Sequence, residues 1–378
     1  MKNSMSFTID DHRFMARAIS LAKKGHYTTS PNPRVGCVIV NNGKIVGEGF
    51  HQKAGEPHAE VYALRAAAKQ AEGATAYVTL EPCSHFGRTP PCAKGLIEAK
   101  VSKVIAAMVD PNPKVAGSGL NMLNEAGIET ASGLLETDAK LLNLGFISLM
   151  ERKRPYVRCK LAASIDGQTA MASGESQWIT SSKARQDVQR LRAQSCAVIS
   201  GASSVISDNA KMTVRQAELG SLNKQYSESE IRQPVRIIVD SQDRLTPDLA
   251  LFEHPSSIII VNTGIETRHQ WPHFVKHIQV KAQNNKVDLA SLLSVLAELG
   301  LNDVLIETGE TLAGAFIEQN LVDELIIYQA PKLMGAENKG LVKMPAITQL
   351  SQAKSFKFKE VTMVGDDLKI VANLEESH

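Results

Sequence analysis

Cysteine is scarce in this sequence, with five in 378 residues. The N-terminus, MKNSMSFTIDDHRF, lacks the continuous apolar stretch of a secretion signal, so we do not expect a disulfide framework. Only Cys83 and Cys92 are close in sequence, and such a pair is first considered as metal ligands. Cys37, Cys159 and Cys196 are expected to be ordinary strand residues.

Long hydrophobic runs and an excess of charge of one sign are also absent. No segment has the roughly 20 apolar residues of a membrane span, so a cytoplasmic protein is expected. The 42 Lys and Arg residues nearly balance the 40 Asp and Glu residues, for a net charge of +2. Because binding to a nucleic-acid backbone needs concentrated positive charge, we do not expect nucleic acid as a partner. Without a spanning segment we do not expect a membrane as a partner either.

Helical and strand patterns alternate along the sequence, which predicts α/β layers. The chain is longer than the about 250 to 300 residues at which single cores stop growing, so two domains are expected. The basic segment Glu-Arg-Lys-Arg-Pro at 151–155 interrupts the alternation, and we place the boundary there, between domains 1–150 and 151–378. The polar segment 216–233 is expected to be a mobile excursion. The predicted elements of the first domain are helices Asp10 to Lys24, His58 to Ala71, Cys92 to Ala99 and Gly117 to Ala126, and strands Val35 to Val40, Ala76 to Leu80 and Val104 to Met108. Those of the second are strands Tyr156 to Ala162, Ala197 to Ser200, Val235 to Val239, Ser257 to Val261, Val304 to Glu307 and Glu324 to Ala330.

The predicted metal site combines His58-Ala59-Glu60, at the start of a predicted helix, with Pro82-Cys83 and Cys92 downstream. This order resembles the signature of zinc deaminases, a His-x-Glu followed by Pro-Cys and a second Cys. A catalytic zinc takes three protein ligands and keeps one position open for water, so His58, Cys83 and Cys92 are the predicted ligands. Glu60 is predicted to act as the general base and acid that moves protons for the attacking water.

Two other interpretations of these residues are a structural zinc site and three unrelated core residues. A structural site would need a fourth protein ligand, which His85 could supply. Because His85 lies only two residues from Cys83, we interpret it instead as a substrate contact beside the metal. An RNA-editing deaminase would need a basic, aromatic groove that this composition does not show. A zinc-stabilised module that senses a flavin or nucleotide is the non-enzymatic alternative, and Glu60 argues against it.

Eight residues separate the two cysteines, where many zinc deaminases have only two. This longer segment, CSHFGRTPPC, resembles the deaminases of riboflavin biosynthesis, and so does the upstream segment SPNPRVG at 30–36. The resemblance implies that Asn32 contacts the sugar or base of the substrate. The resemblance also implies that the rest of the pocket is lined by His51, His85, Arg88, Asp110 and Asn112. For His51 and Arg88, the alternative is that they are solvated surface residues without a function.

The second half resembles the reductases of the same pathway, through KLAASIDGQT at 160–169 and GESQWIT at 174–180. Segments 201–215 and 305–315 extend this resemblance, which then covers nearly the whole chain. It implies an α/β fold with an N-terminal cytidine-deaminase-like three-layer α/β/α domain and a C-terminal dihydrofolate-reductase-like α/β domain. One departure is Asn209-Ala-Lys211, where the family commonly has an Asp-Pro pair.

The resemblance also implies binding residues for NADPH and substrate in the second domain. Segment 305–315 has neither a Gly-x-Gly-x-x-Gly nor a Walker pattern, but a strand that turns through Gly309 into a helix can bind phosphate with free backbone N–H groups. The alternative for segment 305–315 is an ordinary strand-helix junction without a ligand. For Trp178 the alternative is a core residue, and for Arg192 it is a surface residue. The residues implied to hold NADPH are Ala162, Trp178, Ser204, Asp208, Gly309, Glu310, Thr311, Leu312, Ala313, Gly314 and Ala315. Those implied to hold substrate are Ser176, Arg192, Met212, Arg215 and Glu307.

Two successive reactions follow from the resemblance as a whole. The first is hydrolytic loss of ammonia from a diaminopyrimidinone that carries a ribosylamino 5-phosphate, and the second is reduction of the ribosyl group to a ribityl chain. The expected cofactors are zinc and NADPH, and the expected partner is a small phosphorylated pyrimidine. Homo-oligomer formation is compatible with the sequence. Lys160 and Asp166 are candidates for the proton donor of the reduction.

Overall fold

The computed structural model describes residues 6–85, 90–113, 115–227 and 229–375. The chain divides into two compact units, Met1–Lys153 and Arg154–His378, so that the division falls within the basic segment 151–155. In the described part of the chain, no helix has both the length and the apolar composition needed to cross a membrane.

The first unit contains a five-stranded sheet with the strand order β2-β1-β3-β4-β5. β2, β1 and β3 are antiparallel neighbours, whereas β3, β4 and β5 run parallel. Its strands are β1 (Gly36–Asn41), β2 (Lys44–Phe50), β3 (Thr75–Val78), β4 (Lys103–Ala106) and β5 (Glu129–Ser132). Its helices are α1 (Ile9–Ala22), α2 (Ala59–Ala67), α3 (Cys92–Glu98), α4 (Ser118–Glu125), α5 (Glu136–Leu142) and α6 (Leu144–Arg152).

Alternate side chains of the sheet enter two separate cores, one on each face. On β1, Val38 and Val40 pack with residues of α1, whereas Cys37 and Ile39 pack with residues of α2 and α3. This alternation follows from the two-residue period of a strand. The first unit is therefore a three-layer α/β/α structure.

Two glycines of β2 bring α2 against the sheet. A Cβ atom added at Gly47 would lie 2.2 Å from the carbonyl oxygen of Ala63, and one added at Gly49 would lie 2.3 Å from that of Ala59. Only glycine permits so close a backbone approach. The start of α2, which carries Glu60, is thereby fixed relative to the sheet.

The second unit contains a nine-stranded sheet with the order β11-β10-β9-β8-β14-β6-β15-β18-β17. Neighbouring strands run parallel from β11 to β15, and β18 and β17 add antiparallel strands at one edge. Its strands are β6 (Tyr156–Ser164), β7 (Gln168–Ala170), β8 (Ala197–Gly201), β9 (Val235–Val239), β10 (Ile258–Asn262), β11 (Val275–Gln279), β12 (Ala282–Gln283), β13 (Lys286–Val287), β14 (Asp303–Glu307), β15 (Glu324–Ala330), β16 (Lys339–Gly340), β17 (Phe356–Val364) and β18 (Asp367–Leu374). Its helices are α7 (Ser182–Gln194), α8 (Ala202–Asp208), α9 (Leu289–Glu298) and α10 (Glu310–Glu318).

Some elements differ from the sequence-based expectation. The helix predicted to run to Ala71 ends as an α-helix at Ala67 and continues as a single 3-10 turn, Ala68–Ala71. Segment 216–233, expected to be a mobile excursion, contains 3-10 helices at Gln216–Glu218 and Gly220–Lys224. Leu219 between them is fully buried, so an apolar anchor within this polar segment was missed.

Candidate functional site

Three predicted metal ligands meet in the first unit. The ligand atoms of His58, Cys83 and Cys92 all lie within 4.8 Å of one another. The Nδ1 atom of His58 is 3.6 Å from the Sγ atom of Cys83 and 3.3 Å from that of Cys92. Across the described ranges no other group of His, Cys, Asp or Glu side chains has this geometry, and His85 is not part of it. The cluster thus has three protein ligands, the number typical of a catalytic zinc site.

Each ligand is held by the end of a different element. His58 immediately precedes α2, Cys92 is the first residue of α3, and Cys83 follows the end of β3. The backbone N–H of Cys92 donates to the Sγ atom of Cys83 over 3.3 Å. A separate side-chain hydrogen bond, donated by the Cys92 thiol, lowers the pKa of Cys83, which burial alone would raise, and donating this bond raises the pKa of Cys92. The site therefore favours a thiolate at Cys83, the form in which cysteine binds metal.

Glu60 lies in the first turn of α2 beside the cluster, and its side chain is only 3% exposed. Its Oε2 atom is buried and has no hydrogen-bond partner within the described residues. Burial raises the pKa of this carboxyl group. A buried carboxyl with a free oxygen and a raised pKa has the properties of a group that accepts and returns protons.

Asn32 and His51 extend the site on one side of His58. The His51 ring is 3% exposed and meets the His58 ring edge-on, with 5.6 Å between ring centroids. Its Nδ1 atom lies 3.0 Å from the carbonyl oxygen of Pro57, and its Nε2 atom lies 3.3 Å from Nδ2 of Asn32. Burial lowers the pKa of His51, so a neutral ring that donates to Pro57 and accepts from Asn32 is consistent with both contacts. The solvated-surface interpretation of His51 is wrong.

The remaining predicted pocket residues lie after the first cysteine and after β4. Burial raises the pKa of the partly buried Asp110, and the charge of the exposed His85 opposes that rise. The side chain of Asp110 also accepts the backbone N–H of Asn112 over 2.8 Å. Arg88 lies outside the described residues.

Glu81 was not anticipated from the sequence, although it directly precedes Pro82-Cys83. Its buried carboxylate accepts four backbone N–H groups, from Asp110, Gly117, Gly119 and Leu120, over 2.7 to 3.4 Å. The only sequence signal was an acidic residue beside a predicted ligand. Glu81 joins the segment that carries Cys83 to the loop that carries Asp110.

The second unit contains a cavity of about 700 Å³. Ala313 and Gly314, which were expected to hold NADPH, face the protein interior instead. Ala313 is fully buried in the core, and a Cβ atom added at Gly314 would lie 2.1 Å from the carbonyl oxygen of Lys343. The predicted residues that do line the cavity are Ala162, Ser176, Trp178, Arg192, Ser204, Asp208, Met212, Arg215, Glu307, Gly309, Glu310, Thr311, Leu312 and Ala315.

A buried carboxylate forms the charged centre of this cavity. Glu307 accepts two bonds from the guanidinium of Arg192, over 2.6 and 3.0 Å, and lies 3.4 Å from Nζ of Lys160. Burial would raise the pKa of Glu307, but the two cations lower it to about 2. Nη1 of Arg192 donates to the carbonyl oxygen of Thr213 over 3.0 Å. Arg192 is therefore not a surface residue, and three of its five guanidinium N–H donors are bound within the protein.

Trp178 is 59% exposed and lines the cavity, so the core interpretation of this residue is wrong. The guanidinium of Arg185 lies 4.5 Å from the centroid of its ring, a cation–π contact that the sequence did not reveal. Of the two candidate proton donors, Lys160 lines the cavity. The carboxylate of Asp166 instead accepts the backbone N–H groups of Met334 and Gly335, and the hydrogen bond from Ser164 is the main reason for its lowered pKa.

The loop that departs from the family pattern is held by a buried arginine. Arg236, on β9, is fully buried and donates to the carbonyl oxygens of Lys211 and Leu251. Asn209 accepts the backbone N–H of Ala250 over 2.8 Å, and Lys211 forms an ion pair with Glu253. The loop leading to Met212 is thus fixed against segment 250–254.

Comparison with protein families assigns both halves of the chain. The zinc-binding region of cytidine and deoxycytidylate deaminases matches residues 8–108, and the RibD C-terminal domain matches residues 155–370. The riboflavin biosynthesis protein RibD of Escherichia coli is 50% identical over 361 residues, which are 95% of this chain and 98% of that protein. The chain belongs to the RibD family. RibD of Haemophilus influenzae is also 50% identical, over 97% of this chain and 98% of that protein.

Solved structures of RibD proteins share the fold. Form 1 of Acinetobacter baumannii RibD has a TM-score of 0.89 at 44% identity, over 97% of this chain and 99% of that chain. A diaminohydroxyphosphoribosylaminopyrimidine deaminase/5-amino-6-(5-phosphoribosylamino)uracil reductase of Thermotoga maritima has a TM-score of 0.84 at 33% identity, with the same two coverages. RibD membership confirms the predicted fold class. It also confirms a bifunctional enzyme of riboflavin biosynthesis, with a zinc-binding deaminase domain followed by a reductase domain.

Proposed function

We propose that the first unit deaminates a diaminopyrimidinone carrying a ribosylamino 5-phosphate, and that the second reduces its ribosyl group to a ribityl chain with NADPH. The observation that carries the first step is the free, buried carboxylate oxygen of Glu60 beside a three-ligand cluster. The cavity around Glu307 supports the second. The name of the Thermotoga maritima relative describes a deaminase and a reductase of such substrates.

The donor set of the first unit fits zinc, because two thiolates and one neutral imidazole balance the charge of the ion. His58, Cys83 and Cys92 would hold it, and when bound it supplies the Lewis acidity that activates a water molecule. Glu60 would accept a proton from the attacking water at its free Oε2 atom and return it to the leaving ammonia. Its raised pKa suits a group that must do both near neutral pH. Asn32, held by His51, binds the substrate.

In the second unit, NADPH would supply the hydride, and the residues of the chain align it with the sugar. The turn at Gly309 and the residues from Glu310 to Leu312 would bind the pyrophosphate, and the exposed Trp178 would contact the nucleotide, since all of these line the cavity. Arg192 and Lys160, joined by Glu307, position the substrate. We propose Lys160 as the proton donor, because it lines the cavity.

A coupled assay with the purified full chain tests both steps. We expect equal amounts of released ammonia and oxidised NADPH, with about one zinc per chain. Ammonia release without oxidation of NADPH would contradict the second step alone. The absence of both, with zinc bound, would contradict the substrate class.

Gly309→Val should weaken NADPH binding and leave deamination unchanged. The backbone N–H of Gly309 donates to Oγ of Ser204 over 3.0 Å, and an added Cβ atom would lie 3.3 Å from that oxygen. The two further methyl groups of valine would displace Ser204 and block approach to the turn, and we expect roughly 10- to 100-fold weaker binding. Titration with NADPH measures the effect. Gly340→Val is the control, since a Cβ atom there meets nothing within 4 Å, and an equal effect of both changes would contradict the assignment.

A further inference from the structure

The cationic side chains around the reductase cavity fall into two groups. Seven line it: Lys160, Arg185, Arg192, Arg215, Arg244, Lys286 and Lys339. Four of these are already engaged, because Lys160 and Arg192 contact Glu307, Arg215 pairs with Glu218, and Arg185 packs on Trp178. Within the described residues, Arg244, Lys286 and Lys339 have no carboxylate oxygen within 4.0 Å. These three are the cations available to an anionic ligand.

The backbone of Arg244 is fixed at the end of β9. The buried carboxylate of Asp240 accepts the N–H groups of Arg244 and Leu245 over 2.8 and 2.9 Å. The exposed side chain then reaches the wall of the cavity, where Nη2 of Arg244 donates to Oγ of Ser203 over 2.9 Å. Its remaining guanidinium donors are available to a ligand.

Ser203 connects Arg244 to the turn proposed to hold the pyrophosphate. Its neighbour Ser204 accepts the backbone N–H of Gly309 over 3.0 Å. Arg244 therefore borders the same stretch of cavity wall as the turn.

Lys286 approaches this region from the β12–β13 hairpin. The N–H of Val287 lies 3.4 Å from Oγ of Ser241, which places the hairpin beside the segment that carries Arg244. Lys339 lies elsewhere, on β16, where it is paired with Ala170 of β7. Two of the three available cations thus flank one part of the cavity.

We propose that Arg244, with Ser203 and Lys286, binds the 2′-phosphate of NADPH and so selects this cofactor over NADH. The inference rests on the proposed binding of NADPH in this cavity. A phosphate monoester presents several oxygens, onto which a guanidinium can fork, and Lys286 adds a second positive charge. Because no carboxylate neutralises Arg244, no ion pair has to break when the phosphate binds. NADH lacks this phosphate and gains nothing from the site.

Arg244→Gln in the full-length enzyme tests the proposal. We expect kcat/KM for NADPH in the reduction step to fall roughly 10- to 100-fold, with NADH little changed. Calorimetric titration with 2′,5′-ADP and 5′-ADP gives a readout without turnover, and only the affinity for 2′,5′-ADP should fall. Lys286→Gln should lower the same two quantities, kcat/KM for NADPH and the affinity for 2′,5′-ADP, by a smaller factor. Arg268→Gln is the matched control, because Arg268 is an exposed arginine of the same unit that does not line the cavity.

Several outcomes would overturn the proposal. Equal losses with NADPH and NADH would show a general structural effect, and an unchanged preference in Arg244→Gln would show that the phosphate binds elsewhere. A loss of preference in Lys339→Gln alone would move the phosphate site to β16. In all three cases the unchanged enzyme still binds NADPH, so the proposed function stands. Failure of the unchanged enzyme to bind NADPH would contradict both this proposal and the proposed NADPH-dependent reduction.

Discussion

Glu60→Gln should lower the rate of ammonia release by about 100- to 10,000-fold or more while zinc stays bound. The glutamine side chain keeps the size of the glutamate but cannot accept and return a proton. Glu60 is not one of the three clustered ligands, so the metal content should not change. Metal analysis and an ammonia assay on one preparation measure both quantities.

The control for this variant is Glu56→Gln, which changes an exposed carboxylate shortly before His58. We expect that change to leave deamination unaltered. NADPH-dependent reduction of an already deaminated substrate should continue in both variants. Loss of zinc from Glu60→Gln, or near-normal ammonia release with zinc present, would contradict the proton-transfer role.

Glu307→Gln should have the largest effect in the second unit. It removes the charge that compensates Lys160 and Arg192, and breaking such a buried pair costs about 3 to 5 kcal/mol of unfolding free energy. We also expect the rate of reduction to fall by about 100-fold, because Arg192 loses the partner that orients it. Urea unfolding at pH 7 and a reductase assay measure the two effects.

The low pKa of Glu307 predicts how this stabilisation depends on pH. The folded pKa of about 2 lies below the unfolded value of about 4.3, so the stabilisation is complete above the unfolded value. It is lost as the pH falls towards 2. The unchanged protein should therefore lose stability in acid more steeply than Glu307→Gln. Glu253→Gln, which breaks an exposed pair with Lys211, should cost under about 1 kcal/mol. Equal free energies of unfolding for Glu307→Gln and Glu253→Gln would contradict this account.

The cluster of His58, Cys83 and Cys92 could be predicted from the sequence because metal-binding chemistry depends on residue type and order. Few residue types bind zinc, and His58, Cys83 and Cys92 occur in an order that suits a three-ligand site. Glu60 could be placed beside them because a helix starts at Ala59 and presents its first turn to one pocket.

The partners of Arg192 and Glu81 could not be predicted in this way. Arg192 pairs with a residue 115 positions later, and Glu81 binds backbone groups 29 to 39 positions later. Such contacts depend on which strands and helices become neighbours, and local patterns do not contain that information. The inward direction of Ala313 likewise depends on which face of α10 packs against the sheet.

Several strands were missed because their composition is not typical of strands. β2 contains two glycines, which are depleted in strands, yet these are the residues that let α2 approach. β17 lies at the edge of its sheet and is exposed except at its two end residues, and its lysines obscure the apolar alternation. Edge strands commonly carry such charges because these prevent pairing with other chains.

The four hydrogen bonds that Glu81 accepts hold Cys83 in place in a way that does not depend on how many residues lie between the two cysteines. They fix the backbone immediately before Cys83, while Cys92 is held as the first residue of α3 and by its backbone N–H bond to the Sγ atom of Cys83. Insertions and deletions in the intervening segment 84–91 therefore leave both anchors in place. The number of residues between the two cysteines is therefore not set by the geometry of the ligand cluster.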